Sequence, residues 1–160
     1  VASPYKYTMQ STYTKVVDIY EPNDTRASAK PMVLATPINA TLFAGHSGGN
    51  APEDDAYSDW YSVTLAANKA VQLKLENVPT SLNGHVLLYD SAGTEIAGKY
   101  SANEGASVTL DVPMADIPAA GTYYVLVKKI FQTGAGAPSG KGDTVPTHFT
   151  SAYKLTVTQP

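Results

Sequence analysis

From residue 39 onward, apolar side chains recur at every second position in short runs, and the runs are separated by glycine, proline, asparagine and aspartate. A period of two is the signature of strands with one face buried and the other wet. Val71-Gln72-Leu73-Lys74-Leu75 is the clearest case: Val71, Leu73 and Leu75 point one way, Gln72 and Lys74 the other. Val108, Leu110 and Val112 repeat the arrangement, as do Tyr153, Leu155 and Val157. The spacing predicts strands over 39–43, 59–65, 70–75, 85–89, 95–99, 107–112, 121–130 and 152–158. About eight short strands with turn signals between them predict an all-β fold, an antiparallel β-sandwich of jelly-roll-like form. Asp90-Ser91-Ala92-Gly93 reads as a turn, with Gly93 at the position needing positive φ.

The first part of the chain lacks this periodicity. Residues 1–16, with Tyr5, Tyr7 and Tyr13 among serines and threonines, read as a linker or an added edge strand, and the sandwich domain is expected over 17–160. Between Asp24 and Leu34 the pattern allows one helical turn, with Asp24 as its N-cap and Pro31 limiting it. Two long loops, 45–58 and 132–146, interrupt the regular spacing, and loops of that length are usually functional or mobile.

Composition narrows the class. The 160 residues suffice for one domain with a real core, and 43% hydrophobic against 16% charged residues fits a globular chain. The net charge is −3 and no basic cluster exceeds Lys128-Lys129, so the phosphate-neutralising face that nucleic acid requires is missing. No run of eighteen apolar residues offers a membrane span. The chain has no cysteine, and it opens on Val1 without a basic-plus-apolar leader, which reads as a mature or excised piece of something longer.

Chemistry concentrates in two acidic segments. Glu21-Pro22-Asn23-Asp24-Thr25 is answered by Glu53-Asp54-Asp55 through Asp59, which runs straight into Trp60-Tyr61-Ser62-Val63. Oxygen-bearing side chains at this density repel one another unless a cation sits among them, and Ca²⁺ takes six to eight oxygen ligands. The alternative is an Asx-type turn with an N-cap and a solvated Asp55.

Other motifs fail their chemistry. Gly45-His46-Ser47-Gly48-Gly49 fits G-x-S-x-G, but Asn50-Ala51-Pro52 follows where the elbow requires a helix. Gly140-Lys141 is followed by Gly142 rather than the Ser or Thr of a phosphate loop. His46, His85 and His148 are scattered without the spacing of a zinc site. Trp60 reads as a core anchor, and Tyr61, Tyr89 and Tyr153 as rings on the core with hydroxyls at its rim. In Tyr123-Tyr124, neighbours on a strand face opposite ways, so one of the two is expected outward as a possible ligand platform.

Four blocks together resemble the bacterial pre-peptidase C-terminal domain: Asp18-Ile19-Tyr20-Glu21-Pro22-Asn23-Asp24-Thr25 with Ala27 and Ala29; Asp59-Trp60-Tyr61-Ser62-Val63; Leu87-Leu88-Tyr89-Asp90-Ser91-Ala92-Gly93; and Ala120-Gly121-Thr122-Tyr123-Tyr124-Val125-Leu126-Val127. The resemblance implies a secreted, extracellular bacterial β-sandwich without catalysis, attached to a larger enzyme such as a peptidase in the same chain. A related branch is the collagen-binding domain of clostridial collagenases, where Ca²⁺ ligands come from an E-x-E-x-N-D segment and two aspartates of a later loop. By that resemblance the Ca²⁺ ligands here are Glu21, Asn23, Asp24, Asp55 and Asp59, with Asp54 as a substitute; Ile19 stands where the first glutamate would be. The same branch uses surface tyrosines for binding, which makes Tyr123 and Tyr124 the candidates here. The expected function is targeting or stabilising the parent enzyme by binding an extracellular polymer, a collagen-like protein or a polysaccharide. The alternative is a carbohydrate-binding module of a secreted glycosidase.

Overall fold

The computed structural model describes residues 18–42, 58–129 and 150–160. Nine strands run through them: β1 (Lys30–Pro31), β2 (Ile38–Ala40), β3 (Ser58–Leu65), β4 (Val71–Glu76), β5 (Gly84–Tyr89), β6 (Glu95–Tyr100), β7 (Val108–Val112), β8 (Gly121–Lys129) and β9 (Tyr153–Thr158). Among the described residues there is no α-helix, only two 3₁₀ turns, Arg26–Ser28 and Met114–Asp116. Every one of the eight runs of alternating residues is a strand. The ninth, β1, is two residues long and holds Pro31, and it lies parallel to β3 at a sheet edge, where a residue without an N–H is tolerated. No periodicity can announce an element that short.

The strands form two sheets, ordered β1-β3-β8-β5-β6 and β2-β9-β4-β7. Apart from β1, the two orders interleave so that the chain repeatedly crosses from one sheet to the other, which is the jelly-roll arrangement. Apart from the parallel β1–β3 pair, all the sheet neighbours are antiparallel. The inward positions of both sheets meet in one core. Tyr61, Val63 and Leu65 of β3, Val71, Leu73 and Leu75 of β4, Val86 and Leu88 of β5, Val125 and Val127 of β8, and Leu155 and Val157 of β9 share this layer. Burying each of these side chains is worth roughly 1.5–3 kcal/mol against leaving it in water. The alternation read from β4, β7 and β9 therefore marks their core faces.

The turn after β5 also forms as its sequence requires. Gly93 adopts φ 90° and its N–H donates to the Asp90 carbonyl at 3.1 Å, while the Asp90 carboxylate accepts from Thr94 N–H at 2.8 Å.

The outer face of the five-stranded sheet carries a second, smaller apolar cluster. Trp60, Leu87 and Leu126 are buried there, flanked by Ala29, Tyr89 and Tyr124. Trp60 is an anchor, as expected, but not of the core between the sheets: it points the other way from Tyr61 and is covered by the segment before β1.

Candidate functional site

Residues 18–29 form a strap laid along the edge of β3, held by hydrogen bonds within the strap and to Thr41 and Trp60. Asp18 accepts from Tyr20 N–H at 2.8 Å and, with its other oxygen, from the N–H and hydroxyl of Thr41 at 2.5 and 3.1 Å. Glu21 accepts from Asn23 N–H at 3.3 Å across a cis Glu21–Pro22 peptide. Beside the short β1 pairing, β3 has spare edge groups, and the Trp60 N–H donates to the Asn23 carbonyl at 2.8 Å. The 3₁₀ turn that follows is capped by Thr25, not by Asp24: the Thr25 and Ser28 side chains each accept the other's N–H. The capping role assigned to Asp24 thus goes to its neighbour, whose shorter reach to its own turn wins.

This strap brings the acidic segment to the start of β3. Asp59 faces inward and is 1% exposed, and its carboxylate accepts a hydrogen bond from the Tyr153 hydroxyl of β9. The Tyr153 hydroxyl in turn lies 2.6 Å from that of Tyr61. Both tyrosines are fully buried, so their hydroxyls do not sit at the rim of the core; a carboxylate drawn inside gives them a partner. Burial pushes the Asp59 carboxyl well above the usual carboxylate range; the Tyr153 bond opposes this, and the charges of Glu21, Asp18 and Asp24 add to it. Glu21 is raised too, by burial first and then by Asp24, with the Asn23 N–H pulling the other way. Burial and the charge of Asp59 raise both tyrosines. Glu21, Asp24 and Asp59 therefore lie within one another's field, together with Asp18.

Asn23 is the odd member. Its side chain is 1% exposed, and both amide atoms lack a hydrogen-bond partner. The Tyr61 hydroxyl lies beside it, but no contact there has hydrogen-bond geometry. A buried orphan amide costs on the order of 1–3 kcal/mol. An orphan carbonyl oxygen beside carboxylates is the donor chemistry of a hard cation. Among the described residues, however, no three acidic or histidine side chains close around a single point to hold an ion. Asp54 and Asp55 fall outside the described residues, as do residues 1–16, the His46-Ser47 motif, His148 and the loop at 132–146.

The tyrosine pair divides as strand geometry requires. Tyr123 is 5% exposed within the main core and its hydroxyl donates to the Ala119 carbonyl at 2.8 Å. That removes Tyr123 as a ligand platform. Tyr124 is the outward one, half-buried beside Trp60, with the Arg26 guanidinium 5.8 Å from its ring centre. Of the residues to which the sequence reading gave no place in the site, Tyr153, Thr41 and Arg26 matter most. Tyr153 lies 94 positions from Asp59, and only the pairing of sheets brings the two together.

Residues 57–129 match the family model described as the bacterial pre-peptidase C-terminal domain. Among solved structures, the chain is similar to the pre-peptidase C-terminal domain of collagenase from Bacillus anthracis, at 17% identity and a TM-score of 0.46, over 81% of this chain and 93% of that one. It is also similar to CorA, a surface-associated copper-binding protein important in copper acquisition by Methylomicrobium album BG8, at 11% identity and a TM-score of 0.50, over 82% and 98% of the two chains. At these identities the likeness concerns the fold. No curated protein matches the chain by sequence.

Proposed function

The chain carries a bacterial pre-peptidase C-terminal domain, matched over residues 57–129, and from that premise we propose that it serves a larger secreted enzyme, such as a peptidase, as an extracellular accessory module. The domain itself is non-catalytic. Its work is to bind an extracellular polymer or to stabilise the parent, with Ca²⁺ bracing the strap of residues 18–29 against β3. The observation that carries the calcium reading is Asn23: an unpartnered buried amide among Glu21, Asp24 and Asp59, whose mutual repulsion costs stability in the absence of a cation. Glu21, Asn23, Asp24 and Asp59 would hold the ion through oxygen, with Asp55 as the further ligand from the loop before β3. The ion would supply charge neutralisation and fix the course of the strap.

A calcium titration followed by thermal melting tests this. An ion bound only by the folded state adds about 2.7 kcal/mol at a hundredfold excess over Kd. An identical Tm in chelator and in millimolar calcium would remove the ion. Retention on collagen and polysaccharide matrices tests the targeting role, and failure on all of them leaves only the stabilising one. The outer aromatic cluster of Trp60, Tyr89 and Tyr124 favours the second reading, a carbohydrate-binding module, over binding of protein.

A further inference from the structure

On the outer face of the five-stranded sheet, a groove of roughly 620 Å3 opens between the 3₁₀ turn Arg26–Ser28 and the turn after β5. Thr25, Arg26, Trp60, Tyr89, Ser91 and Tyr124 are among the residues that line it. Its aromatic side is built by three adjacent strands. Tyr124 of β8 is in register with Ser62 of β3 and with Tyr89 of β5, so the two tyrosines stand side by side. Trp60 lies beneath them, its ring centre 5.1 Å from that of Tyr89 at an angle of 46°. Trp60 is 2% exposed and seals the floor; the half-buried tyrosines present the accessible ring surface.

Arg26, an exposed side chain, stands over this floor. Its guanidinium carbon is 5.8 Å from the Tyr124 ring centre. On the other side it rests on Gly93, where a Cβ would fall 1.5 Å from Nη1. Among the described residues, no aspartate or glutamate lines the groove, and Arg26 makes a ring contact but no ion pair. A guanidinium placed over a ring can still offer its in-plane N–H groups to a planar anion, and carboxylate is the anion whose geometry they match.

We propose that this groove binds a sugar ring bearing its own carboxylate, a uronate unit of an acidic polysaccharide. The C–H face of the ring would lie on Tyr89 and Tyr124, and the carboxylate would pair with Arg26. A rigid ring with the carboxylate attached directly satisfies both features at once. An acidic peptide side chain on a flexible stem reaches the guanidinium and leaves the rings uncovered, while a neutral sugar covers the rings and leaves the guanidinium unpaired. The assignment rests on the polymer-binding reading above and narrows it to one ligand class and one face.

The test is calorimetric titration of the full chain with tetragalacturonate, tetramannuronate and a hyaluronan tetrasaccharide, alongside fully methyl-esterified tetragalacturonate and cellotetraose. At least one uronate should bind saturably, and its affinity should fall about ten- to a hundredfold in Arg26→Gln, the range expected for loss of a charge-assisted pair. Tyr124→Ala should weaken the same ligand, and where galacturonate binds, its methyl ester should be weakened like Arg26→Gln. Melting curves of both variants confirm folding, and Arg26→Lys, which keeps the charge and loses the fork, should recover only part of the affinity. The proposal is overturned if no uronate binds, if ester and acid bind equally, or if folded Arg26→Gln binds as wild type. Retention on collagen or on a neutral glucan that is indifferent to Arg26→Gln would overturn this assignment while leaving the accessory-module reading standing.

Discussion

The hydroxyl of Tyr153, on the last strand of one sheet, donates its hydrogen bond to the carboxylate of Asp59, at the start of β3 in the other sheet. Tyr61 completes the group with its hydroxyl 2.6 Å from that of Tyr153. A charged residue is thereby fixed inside a β-sandwich by a bond that spans its two layers. The strap carrying Glu21, Asn23 and Asp24 then closes over it through the Trp60–Asn23 backbone bond.

Removing either hydroxyl separates the two tyrosines' contributions. Tyr153→Phe takes from Asp59 the one side-chain donor it has among the described residues and leaves a buried carboxyl group unsatisfied, a cost of about 1–3 kcal/mol. Tyr61→Phe leaves the Tyr153–Asp59 bond in place and removes only a neutral partner, a cost of about 0.5–1.5 kcal/mol. Urea unfolding at pH 7.5 should rank Tyr153→Phe as the more damaging by a clear margin. Equal losses would mean that the hydroxyls share the load rather than acting in series.

Asp59→Asn should stabilise the calcium-free protein at neutral pH. Burial raises the folded-state pKa of Asp59 above the 3.8 of an exposed aspartate. Between those two values the folded state holds more protons than the unfolded one, so this group's contribution to stability falls as pH rises and returns as pH is lowered. The neutral amide mimics the protonated acid and still accepts from Tyr153. The expected gain in chelator is on the order of 1 kcal/mol, a Tm higher by about 2–4 °C at pH 7.5. The gap between variant and wild type should narrow as pH is lowered. Calcium should raise the Tm of wild type and leave that of Asp59→Asn nearly unmoved.

How much of this was legible in the sequence depends on the range of the interaction. Strands such as β4 and β7 are written in local alternation, because a half-buried sheet imposes a period of two on every residue pair. The closeness of Asp24 and Asp59 was readable as a repulsion in need of an answer. The partners Tyr153 and Thr41 were not, since hydroxyl residues far along the chain carry no mark of what they will face. Trp60 illustrates the same limit from the apolar side: its hydrophobicity guarantees burial, yet which face of the sheet covers it depends on where the 18–29 strap runs. The two-residue β1 lies below the length at which periodicity exists at all.

His85 supplies an opposite pH dependence and a control. Burial, and then the charge of Lys128, lower its pKa from 6.5 to about 4, and its ring stacks edgewise on Tyr100 at 5.3 Å. Between those values the unfolded state binds the extra proton, so stability is lost as pH falls from 6.5 toward 4. The ring is half-buried, and solvent screening reduces the effect to about 1 kcal/mol. His85→Gln should therefore flatten the decline of Tm below pH 6.5, while an unaltered decline would assign it to other groups. The Asp59 effect is best measured in this background.

Asn23 offers the sharpest separation between a cation site and a merely crowded one. Its amide nitrogen and oxygen are both buried without a partner, so in calcium-free protein Asn23→Ala discards an unsatisfied group. Its main-chain carbonyl, which receives the Trp60 N–H at 2.8 Å, is untouched. The expected cost in chelator is therefore small, within about 0.5 kcal/mol of wild type and of either sign, because relief of the orphan amide offsets the lost packing. In millimolar calcium the same substitution should forfeit a ligand oxygen and much of the calcium-induced rise in Tm. The quantity to measure is the difference between the two conditions, which cancels packing common to both. If Asn23→Ala costs the same with and without calcium, the amide is no ligand, and the acidic residues around it are held together by the strap alone.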